Sequence, residues 1–477
     1  MASANGSNDD LHVQVVSRRY VKASDASIAP HVVAVSNLDL VPQPTAFSMS
    51  CIYPWSGDDG FSAVVACFEA GLPGLLNHFF PLAGRIASNP CSGLPELHCG
   101  NQGAELVVGE ARVALASLDY STQAASLERI VLPYGGEDDG VALSVQLVSF
   151  ACGGFAVSWC TDHVLVDGTA LCMLVGAWSE LARSGTLAVG SQPNHDRSVF
   201  RPRAPPSYGA ALDESFTPLP DAHDPSNRQQ VDDGDDSIVK RLYYVEARDV
   251  ARLRDAATSR DREGQRAASC AEAVSAYLWK ALAGLVVGTA HDRCRVGLVV
   301  DGRRRFTSPG LRAYMRSYVG NVSTLVVREA SAQELVRTPL PEVSAMVREA
   351  VSAPAYDEHF QELVDWVEEH KGPRRYAQTA SQGLGSPAVI ISSFLGVNTD
   401  FGFGHAAVML PMAAARLSSG FVRIMAAPGG RGSSWIVGAS LRPRLAAALI
   451  DSVIFKPLTA EHLGLRLLAT QDRKSRL

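Results

Sequence analysis

The chain has 477 residues, 47% of them hydrophobic and 19% charged, enough for two domains with a core each. Its formal net charge of -6 argues against a nucleic-acid partner or an anionic membrane surface, since either needs a concentrated basic face. The nine cysteines include no Cys-x-x-Cys pair, so reduced, mostly buried thiols are expected and no metal site is read from them.

The first ten residues, Met1 to Asp10, are polar and slightly acidic, unlike a signal or transit peptide, and no apolar run reaches the length of a membrane span. From about 13 to 185 the pattern is of strands and helices. Phe155 to Cys160 has the apolar, β-branched character of a buried strand, and Thr169 to Trp178 crowds apolar residues at helical spacing. Between them stands His163-Val164-Leu165-Val166-Asp167-Gly168. A histidine at a strand end is held by the sheet and exposed by the turn, and its neutral imidazole suits it to general-base work. The plainer reading is a histidine bonded within its own turn.

Between 186 and 240, Pro193, Pro202, Pro205, Pro206, Pro218, Pro220 and Pro225 break regular structure, and an acidic run follows at Asp232 to Asp236, which together predict a crossover linker. Beyond it the pattern predicts a strand over 238–245, a helix around Val250 to Ala257, and a helix opened by Ser269 with Glu272 at capping-box spacing. Strand-like runs follow at Arg295 to Val300, Val322 to Val327, Ala388 to Ile391, Gly420 to Ala426 and Ser434 to Ala439. The class is therefore α/β, with two domains of mixed β-sheets flanked by helices: 1–185, the linker 186–240, and 241–477.

A second motif, Asp400-Phe401-Gly402-Phe403-Gly404, lies in the last part, its glycines expected to permit a tight turn. Around it Phe394, Leu395, Val397, Phe401, Phe403, Met409 and Met412 suit either an aromatic acceptor site or a core. The final Ser475-Arg476-Leu477 has the form of a peroxisomal address read by an import receptor, so the peroxisome is the expected location and the cytoplasm the alternative.

Together with His78 to Ile86, Gly153-Gly154-Phe155, Ser269 to Trp279, Val300 to Arg305 and Tyr318-Val319-Gly320-Asn321, the two motifs resemble, in order, those of the plant BAHD acyl-CoA-dependent acyltransferases. The resemblance implies two chloramphenicol-acetyltransferase-like domains with an active-site channel at their interface. It implies acyl-CoA as co-substrate with no permanently bound cofactor, a small-molecule acceptor, and a monomer. His163 would be the base. Asp167 has two readings: a relay partner of His163, or a structural ion pair, which is favoured. Gly168 would serve close helix approach or an unusual backbone angle. Asp400 would pair with Arg303, Gly402 and Gly404 would shape the loop, Phe394, Phe403 and Ser392 would line the substrate site, and Ser269 would meet the cofactor side. The arginine that holds an acceptor carboxylate in shikimate and quinate enzymes has no counterpart after Ser392-Ser393-Phe394. The missing arginine points to a neutral alcohol such as benzyl alcohol and the peroxisomal tail to benzoyl-CoA, so the expected reaction is benzoyl transfer between them. Hydroxycinnamoyl transfer to an amine, polyamine or other alcohol, thioester hydrolysis, and a silent binding protein are the alternatives. For a polyamine, Asp357, Glu358, Glu362 and Asp365 are the candidate carboxylates.

Overall fold

The computed structural model describes residues 11–42, 45–55, 59–122, 127–133, 135, 140–219, 238–259, 266–372, 375–394, 396–413, 420–427, 434–450 and 452–465. Two mixed sheets organise them. Their strands in chain order are β1 (Val13–Val21), β2 (Ala46–Tyr53), β3 (Ala104–Ala111), β4 (Ser144–Phe150), β5 (Phe155–Asp162), β6 (Val239–Val245), β7 (Arg293–Asp301), β8 (Ser323–Ser331), β9 (Ala388–Phe394), β10 (Val408–Ala413), β11 (Gly420–Ala426), β12 (Trp435–Leu441) and β13 (Lys456–Pro457). The first sheet runs β1-β3-β4-β5-β2-β10 and the second β8-β7-β9-β11-β12-β6-β13. The pairs β3/β4, β7/β9 and β9/β11 are parallel and the other pairs within these two sheets antiparallel.

Helices cover the outer face of each sheet. On the first lie α1 (Gly60–His78) and α2 (Gly168–Ser184), which bury Val64, Phe68, Leu72, Leu171, Leu174 and Trp178 against Met49, Val157 and Trp159. Helix α1 is apolar enough over 19 residues to match a membrane crossing by length and composition, and one face of it, with Leu72, Leu75 and Leu76, is fully buried in the first sheet's core. On the second sheet lies α3 (Cys270–Val286), packing Val274, Leu278 and Trp279 over Val296, Val389 and Val422. The inner faces meet each other: Leu410 and Met412 of β10 share a cluster with Leu242, Met425 and Ile436 of the second sheet.

The sheet pairing corrects the expected division. Strand β10 follows the Asp400–Gly404 motif in sequence but pairs with β2 in the first sheet, Met412 opposite Ser48 and Leu410 opposite Ser50. The motif therefore belongs to the first sheet's side of the molecule, and the second part of the chain reaches across to complete it. The expected linker also carries structure, a short helix at Ala211–Ser215 and a strand at Phe216–Pro218 paired with Tyr376–Gln378. Its acidic run lies outside the described residues, as do Leu395 and the C-terminal Ser475-Arg476-Leu477.

Candidate active site

Strand β5 ends at Asp162, and the next residue, His163, donates its backbone N–H to Thr45 O at 3.0 Å, extending the β2 pairing one step past the strand. Its partly exposed ring stacks on Phe47, with centroids 5.2 Å apart. Its Nδ1 lies 3.2 Å from Asn321 Oδ1. The orientation of that amide follows from its surroundings. Asn321 Nδ2 faces His163 O at 2.9 Å and Asp39 Oδ1 at 3.0 Å, both of them acceptors. The nitrogen must point there, so Oδ1 accepts from the ring and Nδ1 carries the proton. The lone pair is then on Nε2.

Asp39 anchors this arrangement. Its fully buried carboxylate accepts from Ser36 N and Oγ, Asn321 N and Nδ2, and Arg197 Nε at 2.9 Å. Arg197 also donates to Leu165 O within the motif at 3.1 Å. A buried carboxylate satisfied by a paired arginine and several N–H donors is a rigid support. The sequence offered Asn321 only as part of an ordered motif, and gave Asp39 and Arg197 no signal.

Asp167 faces away from His163. One oxygen caps α2 by accepting from Ala170 N at 2.8 Å, and the other accepts from Val322 N at 2.9 Å and Arg303 Nη1 at 2.8 Å. Arg303 also reaches Asp301 Oδ1 at 3.0 Å, Tyr318 O at 3.0 Å and Gly320 O at 2.8 Å. Burial alone would lower the pKa of this guanidinium, but the charges of Asp167 and Asp301 outweigh burial and raise it. Asp301 moves upward, burial and the Asp167 charge overcoming Arg303. The favoured structural reading of Asp167 fits this geometry. Gly168 is required for close approach rather than for its backbone angle: a Cβ there would lie 2.4 Å from Phe394 Cε1, so the ring of β9 rests on the start of α2.

The expected Asp400–Arg303 pair is not formed: Arg303 is paired with Asp167 and Asp301. Asp400 Oδ1 instead accepts from Gly402 N at 2.9 Å and Gly404 N at 3.0 Å, and its backbone O accepts from Ser179 Oγ of α2 at 2.7 Å. Gly402 and Gly404 have φ of +107° and +87°, a region unfavourable to side chains. Phe403, half-buried, is drawn into a ring cluster with Tyr53, Phe68, Phe155 and Phe401 at the outer core of the first sheet, and Met409 joins the same core. Of the expected lining residues, Phe394 and Ser392 share the inner face of β9 by alternation. Ser269 is spent on capping α3, accepting from Glu272 N while Glu272 returns a bond to Ser269 N. Three of the four carboxylates considered for a polyamine are engaged elsewhere: Asp357 by Thr307 and Ser308 N–H groups, Glu358 and Asp365 by Arg203. A cleft of about 250 Å³ reaches the motif at Val164, lined also by Leu40, Val41, Trp366, His370 and Tyr376.

Two mixed sheets meeting inner face to inner face, with a partly exposed histidine at the end of a central strand, form an acyltransferase fold. Its likeness to F. sporotrichioides TRI101, solved with coenzyme A and T-2, covers 89% of this chain and 99% of that one at a TM-score of 0.72 and 17% identity. The profile of the Transferase family matches residues 11–448, and the chain belongs to that family, the BAHD acyltransferases. It is 27% identical over 389 residues to the omega-hydroxypalmitate O-feruloyl transferase of Arabidopsis thaliana, covering 80% of each chain. It is also 27% identical over 337 residues to anthranilate N-benzoyltransferase protein 1 of Dianthus caryophyllus, covering 68% of this chain and 72% of that one.

Proposed function

We propose that this acyltransferase moves an aromatic acyl group from acyl-CoA to a small alcohol or amine, with His163 as general base. The observation that carries the reading is the 3.2 Å contact of His163 Nδ1 with Asn321 Oδ1, whose amide nitrogen is committed to two acceptors; this assigns the proton to Nδ1 and leaves Nε2 to accept one. As the acceptor oxygen or nitrogen attacks the thioester carbonyl, its proton passes to Nε2. Collapse of the tetrahedral intermediate breaks the C–S bond, and the imidazolium returns the proton to the departing thiolate, giving ester or amide and free CoA. Asp167 and Arg303 hold the turn and α2 in place and exchange no proton in this scheme.

The donor proposed is benzoyl-CoA, with hydroxycinnamoyl-CoA as comparator; feruloyl and benzoyl transferases among the relatives support an aromatic acyl group. Benzyl alcohol as acceptor had two supports in the sequence, an apolar stretch and a missing cation. Phe401 and Met409 lie in the core and Phe403 is half-buried against it, which leaves the acceptor at its class, alcohol or amine. Import into peroxisomes through Ser475-Arg476-Leu477 is a further proposal, supported by the residues alone, and an N-terminally tagged fusion that stays diffuse would count against it. For the chemistry, His163→Ala should lower turnover by about 100- to 10,000-fold without changing the melt. Activity above about a tenth of wild type would remove His163 from the base role.

A further inference from the structure

The cleft of about 250 Å³ beside the catalytic turn is lined by separate parts of the chain. Leu40 and Val41 follow Asp39 in sequence, and Val164 follows His163. An aromatic group adds to them: the Trp366 ring stacks on Phe216 and on His370, each with centroids 4.2 Å apart, and Tyr376 meets Trp366 and His370 edge-on. Phe216 and Tyr376 are fixed by the pairing of Phe216–Pro218 with Tyr376–Gln378, and Trp366 and His370 by the helix Tyr356–His370. The turn at Gly93, Leu94 and Pro95 completes the lining. His163 itself does not line the cleft, nor do β9 and β10, whose side chains meet in the seam between the sheets.

The charges of this lining are of one sign. Lys371 and Arg375 contribute cations and His370 an imidazole, and among the described residues no carboxylate lines the cleft. Lys371 pairs with Glu368 at 2.5 Å, while Arg375 is exposed and, among the described residues, makes no ion pair. His370 donates from Nδ1 to Trp366 O at 2.7 Å, which leaves Nε2 at 4.0 Å from Asp213 Oδ1. Asp213 is itself committed to Trp366 Nε1 at 2.9 Å. An apolar, aromatic cleft with cations and no anion selects a flat apolar ligand that ends in a negative charge. Pockets for drug-sized molecules run to about 300–1,000 Å³, so this smaller cleft suits a single ring with a short side chain.

We propose that this cleft binds a one-ring aromatic carboxylate, of the benzoate class, and that its occupancy lowers turnover without displacing either substrate. The ring packs against Trp366, Tyr376 and Leu94, and the carboxylate meets Arg375 and Lys371. The coupling to chemistry runs through Glu368. That carboxylate accepts from Asn37 Nδ2 at 2.8 Å as well as from Lys371, and Asn37 also donates to Val364 O at 2.9 Å. Asn37 begins the short turn Asn37–Leu40, and Asp39 within it holds Asn321 against His163. A bound carboxylate draws Lys371 from Glu368 and sets a second negative charge beside it, which loosens the turn and the support of the imidazole. The effect on turnover rests on the acyl-transfer reading, and the binding does not.

Calorimetric titration of benzoate into the full-length protein reads binding, and thiol release from benzoyl-CoA, with each substrate varied in turn, reads its effect. Saturable uptake in the millimolar range or tighter is expected for a molecule of about nine non-hydrogen atoms. Benzamide, which lacks the charge, and acetate, which lacks the ring, should each bind about tenfold more weakly. Arg375→Ala should weaken benzoate about fivefold, as loss of a partly exposed ion pair does. Leu94→Trp, at a half-buried position in the hairpin turn, should fill the cleft and abolish uptake. Saturating benzoate should lower kcat by about threefold or more with both KM values little changed, and Leu94→Trp should be insensitive. Competition with benzoyl-CoA or with the acceptor overturns the proposal by placing the acid in the active site, and so does an unchanged kcat at saturation. Equal binding of benzamide, undiminished uptake by Leu94→Trp, or no saturable uptake at about 10 mM also overturns it. Should Leu94→Trp not fold, Arg375→Ala and the benzamide comparison decide. Benzoate uptake lost in Leu94→Trp, in a protein that transfers no acyl group, would sink the acyl-transfer reading and leave the binding site standing.

Discussion

Replacing Asn321 with alanine removes the group that fixes the imidazole without touching the imidazole itself. Three side-chain hydrogen bonds go: the one accepted from His163 Nδ1, and those donated to His163 O and Asp39 Oδ1. Neutral bonds contribute about 0.5–1.5 kcal/mol each and one to a charged group about 1.5–3. The expected loss is therefore roughly 3–5 kcal/mol, softened because Asp39 keeps Ser36, Arg197 and the Asn321 backbone as donors. The freed ring can then rotate or shift its proton to Nε2, and misplacement of a reacting group by about 1 Å can cost about 100-fold. The assay is CoA thiol release under saturating acyl-CoA, read as kcat and KM, beside a thermal melt. A fall of about 100-fold in kcat with KM little changed is expected. Asn321→Asp keeps an acceptor for Nδ1 but sets a carboxylate about 3 Å from Asp39, so it should melt lower than the alanine variant. A folded Asn321→Ala enzyme with kcat within about threefold of wild type would refute the positioning argument.

Asp167→Ala leaves the buried Arg303 with Asp301 as its remaining carboxylate and uncaps α2, and should destabilise by about 2–5 kcal/mol, a charged hydrogen bond plus an N-cap, whereas Asp400→Ala loses a loop cap and should cost only about 0.5–2 kcal/mol; a smaller loss for Asp167→Ala than for Asp400→Ala would contradict the assigned partners. Gly168→Ala drives a Cβ into the Phe394 ring and should cost about 1–3 kcal/mol, part of it recovered by adding Phe394→Leu, and failure of that rescue would mean the clash lies elsewhere. Burial holds the His195 pKa down to about 4, its ring bonded to His78 O at 3.0 Å. Because the unfolded histidine titrates near about 6.5, the unfolded state binds more protons between the two values. Stability should therefore fall as pH drops through that window and level off below it. Urea midpoints should show a shallower fall in His195→Gln; an unchanged slope would assign the acid sensitivity to other groups.

Much of the fold was legible because its signals are local. The run Phe155 to Cys160 became β5, the apolar spacing after Gly168 became α2, and the Ser269–Glu272 spacing produced the cap of α3. The crossing of β10 was not legible, since Val408 to Ala413 has no feature that chooses β2 over a neighbour in the second sheet; the choice is made by packing. The error over Asp400 has the same origin. A carboxylate and an arginine can be matched by type, but which pair forms depends on the backbone between them, and α2 puts Asp167 beside Arg303 while Asp400 closes its own glycine turn. Phe394 and Phe403 are alike as letters and differ in their neighbours: both pack against the first sheet's core, but Phe394 also reaches Gly168 and the cluster between the sheets, while Phe403 joins the rings of Tyr53 and Phe155. Arg423 reads as a single charge in a strand, and only the sheet register shows that it is buried, with Pro411 O and Ser440 Oγ as its hydrogen-bond partners.

The central claim is acyl transfer based on His163, and mass spectrometry of the products from a panel of acyl-CoAs against alcohols and amines tests it most directly. The account predicts an aromatic ester or amide formed mole for mole with free CoA, dependent on the acceptor and abolished in His163→Ala. Free acid and CoA released at the same rate without an acceptor, or product formed equally by His163→Ala, would contradict it.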